Sequence, residues 1–357
     1  MNLNFFRGKN KKQKILVALL GIILIFSIST IIIPNLFKKE DDFFVSKEQK
    51  DPEKKDECQD CLPSLVDGRL ISPEKVKPNL ISLVIDNHPK SRPQVGLSQA
   101  PLVYEVEVEG GVTRYLAIFT GYQDLEKIGP IRSARPYFID WSKGLSALFV
   151  HCGGSPAALA QLTLDPILNL DEFYKEEHFW RDQSIPRPYN IFTSSELIKD
   201  YLNKTDIKNN EFQAWKFKDP ELSEKKGQDQ IVSINFSSDY QVDWEYKKEK
   251  ARYLRYINNH PHKDEKEEIV NAQNIVLQYV NSKVLDKDLR LSLDIIGVGQ
   301  GLVCQKGSCQ EVEWRKPDRE TRTRYYDLEG EEIVFYPGNT WIEIIRESKR
   351  EDIEIKN

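Results

Sequence analysis

An acid and an imidazole stand two residues apart in Asp86-Asn87-His88-Pro89, the two groups that proton transfer in a hydrolase or transferase requires. Glu105, Glu107 and Glu109 alternate along LVYEVEVE, and a strand's period of two puts them on one face with Val106 and Val108 on the other. That row of carboxylates is either the wet side of a half-covered sheet or one wall of a site. In Gly129-Pro130-Ile131-Arg132-Ser133-Ala134-Arg135-Pro136 two arginines lie three apart in a proline-bounded turn or a first helical turn, so both can reach one partner. Guanidinium groups form planar two-point pairs with carboxylate or phosphate, so Arg132 and Arg135 either neutralise the glutamates or bind an anionic ligand. His151 is followed by Cys152-Gly153-Gly154-Ser155-Pro156, in which Ser155 fits an N-cap and Pro156 the first helical position. A strand, a Gly-Gly turn and a helix start can receive an anion on exposed N–H groups; a plain cap explains the same letters.

Two site readings follow. In the first, Arg92, Arg114, Arg132, Arg135, Gly153, Gly154 and Ser155 bind an anion. In the second, Asp86 or Glu109 acts as acid or base with His88 or His151 as proton shuttle. A Ser155 nucleophile would need a base, and His151 is near it in sequence only. Asp86, His88, Glu109 and His151 also have the residue types of a metal site, but helical i, i+4 spacing and a paired-ligand motif are both missing. No metal ligand and no cofactor is therefore assigned. Cys152, between a strand and a Gly-Gly turn, reads as a small buried residue rather than a nucleophile. FWRD at 179–182 and RPYNIFT at 187–193 make an aromatic and basic loop. His260 and His262 sit at a turn, on a solvated loop or on the rim of a site.

The elements that position these groups are legible as periods. LISLVID at 80–86 is an apolar run of strand length, 102–109 and 113–120 form a hairpin about Gly110-Gly111, and SALFVH at 146–151 is a further strand. Helices are expected at 157–164 and 195–202. The polar stretch 218–230 is a domain boundary, and β-like runs follow at 231–236, 242–246, 252–257, 274–280, 289–296, 302–305, 312–314, 321–326, 332–336 and 341–345. The expected fold class is α+β: an N-terminal transmembrane helix, a mixed α/β domain over 62–220, and a mostly antiparallel β domain over 228–347 with a polar tail at 348–357.

The 357 residues carry a net charge of -5, which supplies no basic face for nucleic acid. That figure is an average of unlike parts. Residues 1–14 hold Arg7, Lys9, Lys11, Lys12 and Lys14 and no acid, leaving 46 basic against 56 acidic residues in the remainder. Nineteen uncharged residues follow at 15–33, about the length that crosses a bilayer core. The apolar run is too long for an ordinary cleaved signal and ends without a small-x-small exit. The reading is a single-pass anchor over 15–37 in the cytoplasmic membrane, with the basic N-terminus cytoplasmic by the positive-inside rule and the body extracytoplasmic. Residues 38–61 are a charged linker. In an oxidising compartment Cys304 and Cys309, flanking Gln-Lys-Gly-Ser, are a disulfide across a hairpin, while Cys58 and Cys61 form a lone C-x2-C.

Several long motifs stand in order: IDNHPKSRPQVGLSQAPLVYEVEVEGGVTRYLAIF, IGPIRSARPYFID, HCGGSP, FWRD, GVGQG and TRYYDLEGEEIVFYPGNTWIEI. In these the chain resembles the YerB-like family of bacterial lipoproteins, domain of unknown function 3048, which has an N-terminal and a C-terminal part. The resemblance implies a tethered body outside the membrane. One departure is that the family's lipid-bearing cysteine after the signal has no counterpart here, the first cysteine being Cys58. The resemblance implies no reaction, so function has to come from the site. The expectation is a non-catalytic binding or regulatory module of the cell envelope, with a wall polymer or an envelope protein as partner. The alternative is an envelope hydrolase or transferase, metal-assisted in one version.

Overall fold

Near-continuous apolar runs such as LISLVID mark strands covered on both faces, and the centre of this fold is a sheet of that kind. In the computed structural model, which describes residues 60–205, 212–219 and 227–356, fourteen strands carry the architecture. They are β1 (Leu80–Asp86), β2 (Leu102–Glu107), β3 (Thr113–Thr120), β4 (Leu148–His151), β5 (Asn169–Asp171), β6 (Gln230–Ser237), β7 (Tyr240–Lys247), β8 (Arg252–Ile257), β9 (Asn274–Val280), β10 (Gly297–Gln305), β11 (Ser308–Lys316), β12 (Arg324–Tyr326), β13 (Thr340–Arg346) and β14 (Ile353–Lys356). Ten of them form one sheet in the order β12-β11-β10-β9-β13-β2-β3-β1-β4-β5. Its middle strand, β13, comes from near the end of the chain and lies parallel to β9 on one side and to β2 on the other. Strands from both halves of the sequence are thereby locked into one sheet.

Each face of that sheet has its own cover. On one face lies the second sheet, in the order β8-β7-β6-β14 with two short strands alongside β8, and the core between the sheets includes Val103, Tyr115, Trp244, Tyr253 and Trp341. On the other lie α1 (Pro136–Gly144) and α2 (Pro156–Leu164), burying Tyr137, Phe138 and Ala158 with Tyr104, Trp215 and Phe335. A third helix, α3 (Ser195–Asn203), is capped by the Ser194 hydroxyl on the amide of Leu197 at 3.2 Å. Of the two readings of the arginine segment, the turn is the one observed: α1 begins at Pro136, with Arg135 at its N-cap and Arg132 before it.

The α+β class with a transmembrane helix is overturned. The described residues contain 24 strands and three α-helices of nine residues each, so this is a mostly β structure. No helix among the described residues is long and apolar enough to cross a membrane; the 15–37 segment lies outside them. The physical reason for the class error is that the strand-to-helix passages around 80–164 imitate an α/β unit, while the helices are short covers on a sheet continued by ladders from the C-terminal half. The hairpin disulfide is present, with Cys304 opposite Cys309 and their Cα atoms 4.0 Å apart.

The glutamate row is a second correction, because Glu105 and Glu107 are buried and Glu109, at 27% exposure, is held by arginines. Strand β2 stops at Glu107, and Gly110 and Gly111, at φ 73° and 74°, turn the chain where only glycine is unstrained. Glu105 points between the sheets and is fully buried against fully buried Arg255 of β8, with which it forms an ion pair. It also accepts from Thr113 Oγ1 at 2.5 Å and Tyr240 OH at 2.6 Å. The Arg255 guanidinium lies over the rings of Tyr115, Trp244 and Trp341, 5.0–5.7 Å from their centroids. Glu107 is taken by Arg346 at 3.2 Å and Lys349 at 2.8 Å.

Glu343 of β13 is the register partner of Glu105 and is equally buried. It accepts from Trp244 Nε1 at 2.8 Å. One cation cannot offset two buried carboxylates, and burial, then the charge of Glu105, hold the Glu343 carboxyl well above the usual range despite Arg255. Glu343 therefore keeps its proton. His262 is neither a solvated loop residue nor a site rim. It is buried, its Nδ1 accepting from Arg255 at 2.7 Å and its Nε2 donating to Gln94 at 2.9 Å, and burial and then Arg255 push its pKa well down.

Arg255→Met should cost about 3–5 kcal/mol in denaturant melts, because it leaves Glu105 buried without its cation. Glu343 has its folded pKa raised, so the folded state holds a proton that the unfolded chain releases above about 4.5, and its contribution to stability falls as pH rises from there. Glu343→Gln should accordingly flatten the decline of unfolding free energy between pH 5 and 8. Parallel pH profiles for the two proteins would contradict the protonated assignment.

Candidate functional site

The parallel strands β1 and β4 diverge at their carboxyl ends, and the arginine segment fills the gap. Arg132 N donates to Val84 O at 2.8 Å on one side, while Cys152 N donates to Arg132 O at 3.0 Å and Ala134 N to Gly153 O at 3.0 Å on the other. The tip of the sheet thus carries Arg132 and Arg135 on a backbone held from both sides.

Five of the predicted residues converge there. Asp86 at the end of β1 is buried and pairs with Arg132 Nε at 2.8 Å, and its register partner on β3 is Arg114. Glu109, just past β2, accepts from Arg114 at 3.1 Å and from Arg135 Nε at 2.9 Å. Arg114 and Arg135 also donate to the Ser133 and Ala134 carbonyls. Burial would raise the Glu109 carboxyl, but Arg114 and then Arg135 outweigh it and hold it down at about 2. Three guanidinium groups thus face two carboxylates. Arg114 and Arg135 are buried staples, whereas the Arg132 side chain is 22% exposed and lies over the Tyr189 ring, 5.6 Å from its centroid. Among the described residues, Arg132 has no partner for its terminal nitrogens. Tyr189 stacks in turn on His88 at 4.6 Å, whose backbone amide is held by Asp86 at 3.0 Å; burial, against the opposing charge of Asp86, lowers the His88 pKa.

The other predicted residues do other work. Arg92 donates to Asn87 Oδ1 at 3.0 Å and to the Asn87 carbonyl at 2.9 Å and lies over Tyr240, closing the Glu105 network. His151 is buried, with Nδ1 2.8 Å from Gly153 O and Nε2 3.3 Å from Asn169 Oδ1, so it does not reach a substrate at the tip. Ser155 is a cap, accepting from Ala158 N at 3.2 Å. The turn's amides are largely committed within the protein: Gly153 N to Asp171 Oδ1 at 2.8 Å and Ser155 N to Ala134 O at 3.1 Å. Among the described residues no group of three or more His, Cys, Asp or Glu side chains is placed to hold a metal ion. A groove of about 760 Å³ is lined by Asp140, Asn281, Asp294, Val298 and Gln300 among others, none of them a predicted site residue.

Two groups escape a reading of the sequence alone. Tyr189 lies within the aromatic and basic loop, where nothing local gives it a role. Phe173 and Tyr174, adjacent aromatics in DEFYKEE, stand beside the Gly153 turn, and their flanking charges are the available sign of an exposed position.

Residues 68–208 match the N-terminal domain, and residues 232–342 the C-terminal domain, of a family described as "Protein of unknown function (DUF3048)". A protein of Bacillus subtilis (strain 168) named "Putative lipoprotein YerB" is 34% identical over 278 residues, 74% of this chain and 80% of that protein. The crystal structure of the YerB protein from Bacillus subtilis superposes with a TM-score of 0.75 at 29% identity, over 83% of this chain and all of that one.

Cys152 is buried beside Glu172, with Sγ 3.4 Å from Oε2, and burial and then that carboxylate raise its thiol to about 12. A thiol held neutral is a poor nucleophile. In the folded protein at pH 8 Cys152 should resist a disulfide-exchange reagent and react only on unfolding; rapid labelling of the native state, located by mass spectrometry, would refute this.

Proposed function

Because this chain belongs to the DUF3048 family, proteins of unknown function with an N-terminal and a C-terminal domain, we propose its function from its site: a non-catalytic binding module of the bacterial cell envelope, taking an anionic group at Arg132. The lipoprotein name of the Bacillus subtilis relative supports a membrane-anchored, extracytoplasmic body. The ligand is a carboxylate or phosphate of a wall polymer or of an envelope protein.

The observation that carries this reading is the Arg132 guanidinium. Asp86 holds its inner edge and Tyr189 its face, while its outer nitrogens have no acceptor among the described residues. A guanidinium fixed on two sides loses little freedom on binding, which favours a planar two-point contact with an anion. The enzyme reading is weaker on the same geometry. Asp86 and Glu109 are both engaged by arginines, and a carboxyl held at about 2 is a poor proton donor or acceptor near neutral pH. His151 is hydrogen-bonded inside the fold.

Retention of the full-length protein on isolated cell-wall material should fall on Arg132→Gln by roughly ten- to a hundredfold, the worth of about 1.5–3 kcal/mol for a charged hydrogen bond, and should fall with salt in the wild type. Arg132→Lys should recover part of it. Equal retention of the glutamine variant and the wild type would sink the proposal.

A further inference from the structure

The exposed aromatic pair beside this site bears on what carries the anion. Phe173 and Tyr174 are 70% and 81% exposed, yet their backbone is tightly fixed. Asp171 Oδ1 accepts from the amides of both Gly153, at 2.8 Å, and Phe173, at 3.2 Å, and the Tyr174 amide donates to the Asp171 carbonyl at 3.0 Å. Gly153 has φ +57°, and a Cβ there would lie 2.2 Å from the Phe173 ring. A side chain at Gly153 would displace that ring from the turn. The same turn is hydrogen-bonded to the Arg132–Ala134 backbone, so rings and cation share one rigid support.

We propose, resting on the anion-binding reading above, that the ligand is an anionic polysaccharide, its sugar rings stacked on Phe173 and Tyr174 and one acidic group held by Arg132. The negative face of an aromatic ring attracts the weakly positive C–H face of a sugar. A pair of rings flanked by charged neighbours, Glu172, Lys175 and Glu176 here, suits an amphipathic partner better than the contiguous apolar patch that a protein interface buries. The charge count agrees: three arginines against two carboxylates leave one positive charge, which matches one acidic group.

Binding of the full-length protein to polygalacturonate is compared with binding to poly-L-glutamate, which carries the same carboxylates without rings, and to polyphosphate. The wild type should prefer polygalacturonate, and Phe173→Ala/Tyr174→Ala should lose that preference by about tenfold, the worth of two ring contacts, at an unchanged melting temperature. Arg132→Gln should weaken binding to every polyanion. If the wild type binds the three polymers alike and only Arg132→Gln weakens it, anion binding stands and the polysaccharide assignment falls; that assignment falls equally if the double variant binds polygalacturonate like the wild type. If the wild type binds no polyanion, the anion site itself fails.

Discussion

One buried cation, Arg255, holds the two sheets in register, because it has to meet Glu105 where nothing else can neutralise it. Removing an ion pair from water is costly, and the cost is offset only when geometry and hydrogen bonding are complete. Here Thr113, Tyr240 and Asn87 all point at Glu105, and His262, itself tied to Gln94, accepts from Arg255. The contributing residues come from both halves of the chain. A shift of one strand by one residue would turn Glu105 or Arg255 to the wrong face and strand a charge, so the network specifies how β2, β8 and β13 come together as well as stabilising the result.

The same electrostatic rule organises the tip of the sheet. Every member of the glutamate row meets a cation: Glu105 takes Arg255, Glu107 takes Arg346 and Lys349, and Glu109 takes Arg114 and Arg135. After this pairing Arg132 is the guanidinium with capacity left, since Asp86 engages only its inner edge. Arg322 shows the other way of burying a guanidinium. It lies 3.5 Å from the centroid of the Trp215 ring with no hydrogen-bond acceptor among the described residues, and burial lowers its pKa to about 10. A ring face compensates a charge less completely than a carboxylate does.

Local chemistry is legible in the sequence wherever it depends on neighbours in the chain. The Gly110-Gly111 hairpin, the Ser155 cap, the Cys304–Cys309 bridge and the helix after Ser194 all follow from residues within about ten positions of one another. The choice left open for Arg132 and Arg135, neutralising the glutamates or binding an anion, is divided between them by the structure: Arg135 is committed to Glu109, and Arg132 keeps free nitrogens. The α+β class misleads because strands at 80–151 followed by short helices look alike in an α/β unit and in one half of a larger sheet. What distinguishes the two is the identity of the next strand, and here that strand arrives from residue 340.

By itself the sequence determined most of the strands, though not Asn169–Asp171 or the Ile353–Lys356 strand within the expected polar tail, where most turns fall, and that carboxylates and arginines crowd one stretch of the chain. It did not determine which of them remain available. Only the tertiary structure placed Arg255 against Glu105, inserted Thr340–Arg346 between the two halves, buried His151 and His262, and left Arg132, Phe173 and Tyr174 outward. The reason is that charge pairing across 150 residues of chain and parallel strand pairing carry no local period, so only the folded arrangement shows which charges are already satisfied.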